Sequence, residues 1–123
     1  MSKEDLKISE LKNMQYNLYE INKEKWNDMK PEAARNHLLY MVEEMGECIS
    51  IIKKKGIDSI MEDKQIRDRF TEEFSDVLMY YVEVLNRLNI SEKELSEAYV
   101  NKYEINTKRN YVEENKNKYS SRA

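Results

Sequence analysis

Two stretches decide how this chain folds. The first is Leu38-Leu39-Tyr40-Met41-Val42-Glu43-Glu44-Met45-Gly46-Glu47-Cys48-Ile49-Ser50-Ile51-Ile52. The second is Phe70-Thr71-Glu72-Glu73-Phe74-Ser75-Asp76-Val77-Leu78, continuing through Tyr81, Leu85 and Leu88. In the first, Leu38, Met41, Val42, Met45, Ile49 and Ile52 recur at helical spacing; in the second, Phe70, Phe74, Val77, Leu78, Tyr81, Leu85 and Leu88 do the same. Such stripes mark core-facing helices. Each is interrupted by an acidic motif of the form Glu-x-x-(Glu/Asp): Glu44 with Glu47, and Glu73 with Asp76. Acids three residues apart share one helix face. Carboxylates beside an apolar stripe are costly unless something positive neutralises them.

Moving outward, the punctuation of the chain predicts four main helices. The first runs from about residue 5 to 29, with Leu6, Leu11, Met14, Leu18, Ile21 and Trp26 as its apolar set. Lys30-Pro31 ends it, because the residue before Pro avoids the α region, and Pro31 suits the first turn of the next helix. The second helix runs from residue 31 to about 55, where Lys53-Lys54-Lys55 favour the negative end and Gly56 is a C-cap. A polar loop follows, in which Ser59-Ile60-Met61-Glu62 has capping-box form. The third helix starts near residue 63 or 66 and reaches 89. A capping box at Ser91-Glu92-Lys93-Glu94 opens the fourth, which extends to about 109. With one Pro and two Gly in 123 residues, the expected class is all-α. The expected organisation is one domain over residues 1–111 and a flexible tail over 112–123.

The charge balance, net −3, offers no basic field for nucleic acid. No apolar run is long enough to span a membrane, and the Met-Ser-Lys-Glu-Asp start lacks the apolar core of a signal peptide. A cytoplasmic protein is expected. The lone Cys48 has no internal disulfide partner and reads as a small core residue.

The acids point to chemistry because their local surroundings do not neutralise them. Glu44 has Tyr40 and Cys48 one turn away, Glu47 has Glu43 and Ile51, and Asp76 has Glu72 and Tyr80; only Glu73 has a basic neighbour, Arg69. Two helices facing each other would bring Glu44, Glu47, Glu73 and Asp76 to one point. Four oxygen donors there suit a hard divalent cation, Mg²⁺ first and Mn²⁺ as the alternative. Near the C-terminal end, Lys102, Asn106 and Arg109 stand at i, i+4 and i+7 on one helix face. They read either as contacts for the phosphates of a metal–polyphosphate complex or as a solvated basic helix end complementing the dipole.

Taken together, Glu-Glu-x-x-Glu at 43–47, Glu-x-x-Asp at 73–76 and Lys-x-x-x-Asn-x-x-Arg at 102–109 resemble the MazG-like all-α nucleoside triphosphate pyrophosphohydrolases. Arg35-Asn36, Glu73-Phe74-Ser75-Asp76-Val77-Leu78-Met79-Tyr80 and Lys102-Tyr103-Glu104-Ile105-Asn106-Thr107-Lys108-Arg109 look most like the single-domain dCTP pyrophosphatase branch. The resemblance implies a four-helix-bundle type of protomer and Mg²⁺-dependent hydrolysis of a (deoxy)nucleoside triphosphate to the monophosphate and pyrophosphate, by a homodimer or homotetramer clearing the nucleotide pool of dCTP-like substrates. It implies Glu44, Glu47, Glu73 and Asp76 as metal ligands, and Glu43 as part of the acidic shell or as the group orienting the attacking water. It also implies that Lys102 and Arg109 contact phosphates, that Asn106 and Tyr80 contact phosphate or sugar, and that Trp26 stacks on the base. Near the place of a base-facing His in that branch, this chain has Tyr16 or Asn17.

Other readings stay open. A ferritin-like di-iron protein needs Glu-x-x-His pairs, and the only histidine, His37, follows no Glu at that spacing. A non-catalytic helical interaction module would leave the acids facing solvent. Within the superfamily, a dUTPase and a phosphoribosyl-ATP pyrophosphohydrolase remain alternatives.

Overall fold

A computed structural model describes residues 4–26 and 28–109, so the tail expected over 112–123 lies outside the described residues. The described residues form five α-helices and a 3₁₀ turn, with no strand among them. They are α1 (Ile8–Asn22), a 3₁₀ turn (Pro31–Ala33), α2 (Ala34–Lys55), α3 (Ile57–Glu62), α4 (Lys64–Arg87) and α5 (Glu92–Lys108). The chain divides into two compact units, Met1–Ser91 and Glu92–Ala123. In the first unit α4 is the hub, packing on α1, α2 and α3.

The helix ends follow local chemistry. Pro31 opens a 3₁₀ turn and the α-helix proper begins at Ala34. Gly56 ends α2 at φ 83°, in a region costly for any residue with a Cβ. Asp63 caps α4: its Oδ1 accepts from the backbone N–H of Gln65 at 3.0 Å and of Ile66 at 3.4 Å. At the far end Asn89 takes φ 55°. The N–H of Ile90 reaches the Leu85 carbonyl (2.8 Å), and that of Asn89 reaches Asn86 (3.2 Å), completing a Schellman motif.

Two boundaries differ from the sequence expectation. The first helix stops at Asn22 rather than near 29, so Trp26 follows it in a turn. The chain is drawn off the helical path because the Asp28 carbonyl accepts from Arg87 Nη1 at 2.6 Å and the Met29 N–H donates to Tyr19 Oη at 3.0 Å. Ser59, expected to start a turn, lies inside α3, which begins directly after Gly56.

The larger difference concerns which face turns inward. The buried apolar residues are Tyr19 of α1, Ala34, Cys48 and Ile51 of α2, Ile60 of α3, and Val82, Val84 and Leu85 of α4. The inner face of α2 is therefore the line Ala34, His37, Met41, Glu44, Cys48, Ile51, not the more apolar line beside it. Val42 is 57% exposed and Ile49 63%, with Leu38 and Met45 also open; on α4, Phe74 is 57% exposed, and Leu78, Tyr81 and Leu88 are open as well. The sequence stripe and the buried stripe meet at Met41 and Leu85 and otherwise lie on adjacent faces of the same helices.

Charge is buried too. Glu83 and Arg87 of α4 are 1% and 3% exposed, and Arg87 Nε donates to Glu83 Oε1 at 2.9 Å. Gln15 of α1 donates to the other carboxylate oxygen at 3.0 Å, while Asn86 reaches back to the Lys12 carbonyl at 3.1 Å. This network ties α1, α4 and the segment at Asp28 together through satisfied polar groups rather than side-chain volume.

Candidate functional site

Because α2 turns its less apolar line inward, Glu44 points at α4. Glu73 and Asp76 stand three residues apart on α4 and meet it there: one carboxylate oxygen from each lies within 4.8 Å of the others. All three are half-buried. The Glu44 carboxyl is held above the usual carboxylate range, first by burial, then by its hydrogen bond to Glu73, and then by the charges of Asp76, Glu73 and Glu47. Three carboxylates so placed repel one another, and a divalent cation would relieve that repulsion. The donor set is all oxygen. Cys48 lies buried beneath it with its thiol pushed up, by burial first and then by Glu73, Glu44 and Asp76. A thiol held protonated is a poor ligand, so the chemistry fits a hard cation of the Mg²⁺ type, which keeps part of its shell for water and phosphate.

The other residues expected at the site are distributed as follows. Glu47 is exposed one turn along α2, outside the three-carboxylate group, yet close enough for its charge to act on Glu44. Glu43 is exposed, and its charge reaches Tyr80. Tyr80 is half-buried, with its phenol pushed up by burial first and then by Glu44 and Asp76. Lys102, Asn106 and Arg109 belong to the second unit, where Asn106 Oδ1 accepts from Arg109 Nη1 at 3.5 Å.

Beside the acids lies a cavity of about 410 Å³ whose lining includes Trp26, His37, Asp76, Tyr80, Glu83 and Arg87. Trp26, though outside α1, borders it. Tyr40, His37 and Tyr80 form an aromatic group along one wall, with the His37 ring edge-on to Tyr40 at 5.4 Å and 6.1 Å from Tyr80. Burial, then the positive charge of Arg87, holds the His37 imidazole below its ordinary value, against the pull of Glu83. Its Nδ1 is buried with no hydrogen-bond partner.

Sequence reasoning did not find Gln15. Tyr16 and Asn17 are both exposed, whereas Gln15 lines the cavity. The signal was available in the α1 line Leu11, Gln15, Tyr19, Asn22, which shares one helix face and turns inward.

The sequence model of a family described as dATP/dGTP pyrophosphohydrolase matches residues 51–122, more than half of the chain. The chain belongs to this dATP/dGTP pyrophosphohydrolase family. The match takes in Glu73 and Asp76 and the Lys102, Asn106 and Arg109 face, while Glu43, Glu44 and Glu47 precede it. Membership in this MazG-like pyrophosphohydrolase family agrees with the all-helical fold and points generally to pyrophosphohydrolysis of nucleoside triphosphates. Neither a curated protein nor a solved structure matches the chain. No helix among the described residues is long and apolar enough to cross a membrane.

Proposed function

We propose that this protein hydrolyses deoxynucleoside triphosphates to the monophosphate and pyrophosphate with Mg²⁺. The preferred substrates are dATP and dGTP, which the family description names, and dCTP is the second reading, from the resemblance to the dCTP pyrophosphatases. The observation that carries the reading is the convergence of Glu44 from α2 with Glu73 and Asp76 from α4 at a cavity with an aromatic wall. The acids supply the charge that polyphosphate chemistry needs at one end, and the cavity has the volume and lining of a small-molecule site.

Glu44, Glu73 and Asp76 would hold the cation, with Glu47, one turn along α2, as the fourth carboxylate ligand. Bound there, Mg²⁺ supplies charge neutralisation on the phosphates and an acidified water. Glu43 orients the attacking water, Tyr80 steadies the sugar or α-phosphate, and Trp26 stacks on the base. Lys102, Asn106 and Arg109 engage the phosphate oxygens. The chain works as a homo-oligomer in the cytoplasm: the stripes Leu38, Val42, Met45, Ile49 and Phe74, Leu78, Tyr81 lie open, and a second copy would cover them.

The test is incubation of the protein with dATP, dGTP, dCTP, dTTP and dUTP, with Mg²⁺ or EDTA, and separate detection of pyrophosphate and orthophosphate. Pyrophosphate release that needs Mg²⁺ and falls at least about 100-fold in E73Q and D76N, with the helical circular dichroism retained, supports the reading. Orthophosphate as the product, or full activity in both variants, defeats it.

A further inference from the structure

The cavity runs along one face of α4. Asp76, Tyr80, Glu83 and Arg87 all line it, at i, i+4, i+7 and i+11. Asp76 belongs to the acidic cluster, and Glu83 lies two turns further on, about 10 Å along the helix axis. A nucleotide with its phosphates at the acids, as proposed above, has its base at the Glu83 end. What waits there is Gln15, in an orientation the fold dictates. Its Nε2 donates to Glu83 Oε2 at 3.0 Å, and Glu83 Oε1 is taken by Arg87 Nε at 2.9 Å. A carboxylate paired with a guanidinium only accepts hydrogen bonds, so the Gln15 amide faces it with its NH₂; a flip would set its carbonyl oxygen against the Glu83 Oε2 and leave that buried oxygen without a donor. The carbonyl oxygen is then the acceptor that Gln15 offers the cavity, and no described residue donates to it.

We infer, building on the proposed activity, that Gln15 is a specificity-determining residue whose carbonyl oxygen accepts a hydrogen bond from an exocyclic amino group of the nucleobase. The buried Glu83–Arg87 pair is its positioning device. An ordinary surface Gln rotates to donate or accept as required, and so discriminates weakly; a clamped one rejects a base that offers no donor at that point, because the acceptor is left unpaired.

The experiment compares kcat/KM for two substrate pairs that differ by one amino group: dATP against 2′-deoxyribosylpurine triphosphate, and dGTP against dITP. Wild type, Q15L and Q15M are assayed by pyrophosphate release. In the wild type at least one pair differs by roughly 10- to 100-fold in favour of the amino-bearing base, and that ratio shrinks toward one in both variants. Pyrophosphate release with ratios near one for both pairs in the wild type overturns the inference and leaves the proposed activity standing. So does a wild-type ratio that Q15L or Q15M preserves. Should the wild type release pyrophosphate from none of the triphosphates, the proposed activity falls and the inference with it.

Discussion

Arg87→Met isolates the most consequential electrostatic feature of the fold. The Arg87 and Glu83 side chains are 1% and 2% exposed and their charged atoms are 2.9 Å apart. At that distance and an effective dielectric of 20 their attraction is about 6 kcal/mol. Removing both ions from water costs several kcal/mol each, so the pair as a whole roughly breaks even against apolar replacements. The single substitution keeps the cost and loses the attraction. Glu83 would remain buried with only Gln15 to satisfy it, and the Asp28 carbonyl would lose its 2.6 Å partner. The expected loss is about 3–5 kcal/mol for the uncompensated charge and about 1 kcal/mol for the carbonyl. For a chain of this size that lowers Tm by roughly 10–25 °C. The double variant E83L/R87M removes both charges and should lose only about 1–2 kcal/mol, the cost of imperfect packing and of one of the two hydrogen bonds to the Asp28 carbonyl, which keeps the Lys30 N–H at 2.7 Å. Urea unfolding of wild type, E83L, R87M and the double variant at one protein concentration gives the four corners of the cycle. If the single losses simply add in the double variant, or R87M loses less than about 1 kcal/mol, the argument that a paired buried charge organises this core is refuted.

Further outcomes follow from the same geometry. Mg²⁺ at about 100 times its Kd should stabilise the fold by about 2.7 kcal/mol, on the order of 10 °C in Tm; identical melts in EDTA and Mg²⁺ would exclude a cation at the acids. Because the folded-state pKa of Glu44 is raised, it contributes a destabilisation that sets in as pH rises through the unfolded value and persists at neutral pH. Metal-free E44Q should therefore melt above metal-free wild type, and a lower melt would contradict the cluster geometry. His37 has the opposite profile. Its folded pKa is lowered, so stability falls as pH drops below the ordinary value of about 6.5, where the unfolded chain takes up the proton first; H37Q should flatten that limb of the stability–pH curve, and an unchanged limb assigns it elsewhere. V42E or I49E, on the open stripe of α2, should shift the protein to monomer in light scattering; the same mass for variant and wild type would remove that stripe from any interface.

Helix class, most boundaries and the acidic motifs were legible in the chain because each is a local property. Pro31, Gly56 and Asp63 act on backbone within a few residues of themselves, and three-residue spacing places Glu73 and Asp76 on one face whatever else packs nearby. The end of α1 was not legible, because it depends on Arg87, 59 positions away from the Asp28 carbonyl that it holds. Nor does anything local mark Glu83 and Arg87 as buried: the i,i+4 spacing is identical whether the pair is solvated or sealed.

By itself, then, the sequence determined that apolar stripes and acids lie side by side on two long helices, since periodicity and charge are written residue by residue. Only the tertiary structure decided which side faces in. Amphipathicity specifies that a stripe must be covered, not by what, and α2 turns Glu44 and Cys48 inward toward α4 while leaving Val42 and Ile49 open. That rotation about a helix axis joins Glu44 to Glu73 and Asp76, and packing between distant segments, not local spacing, sets it.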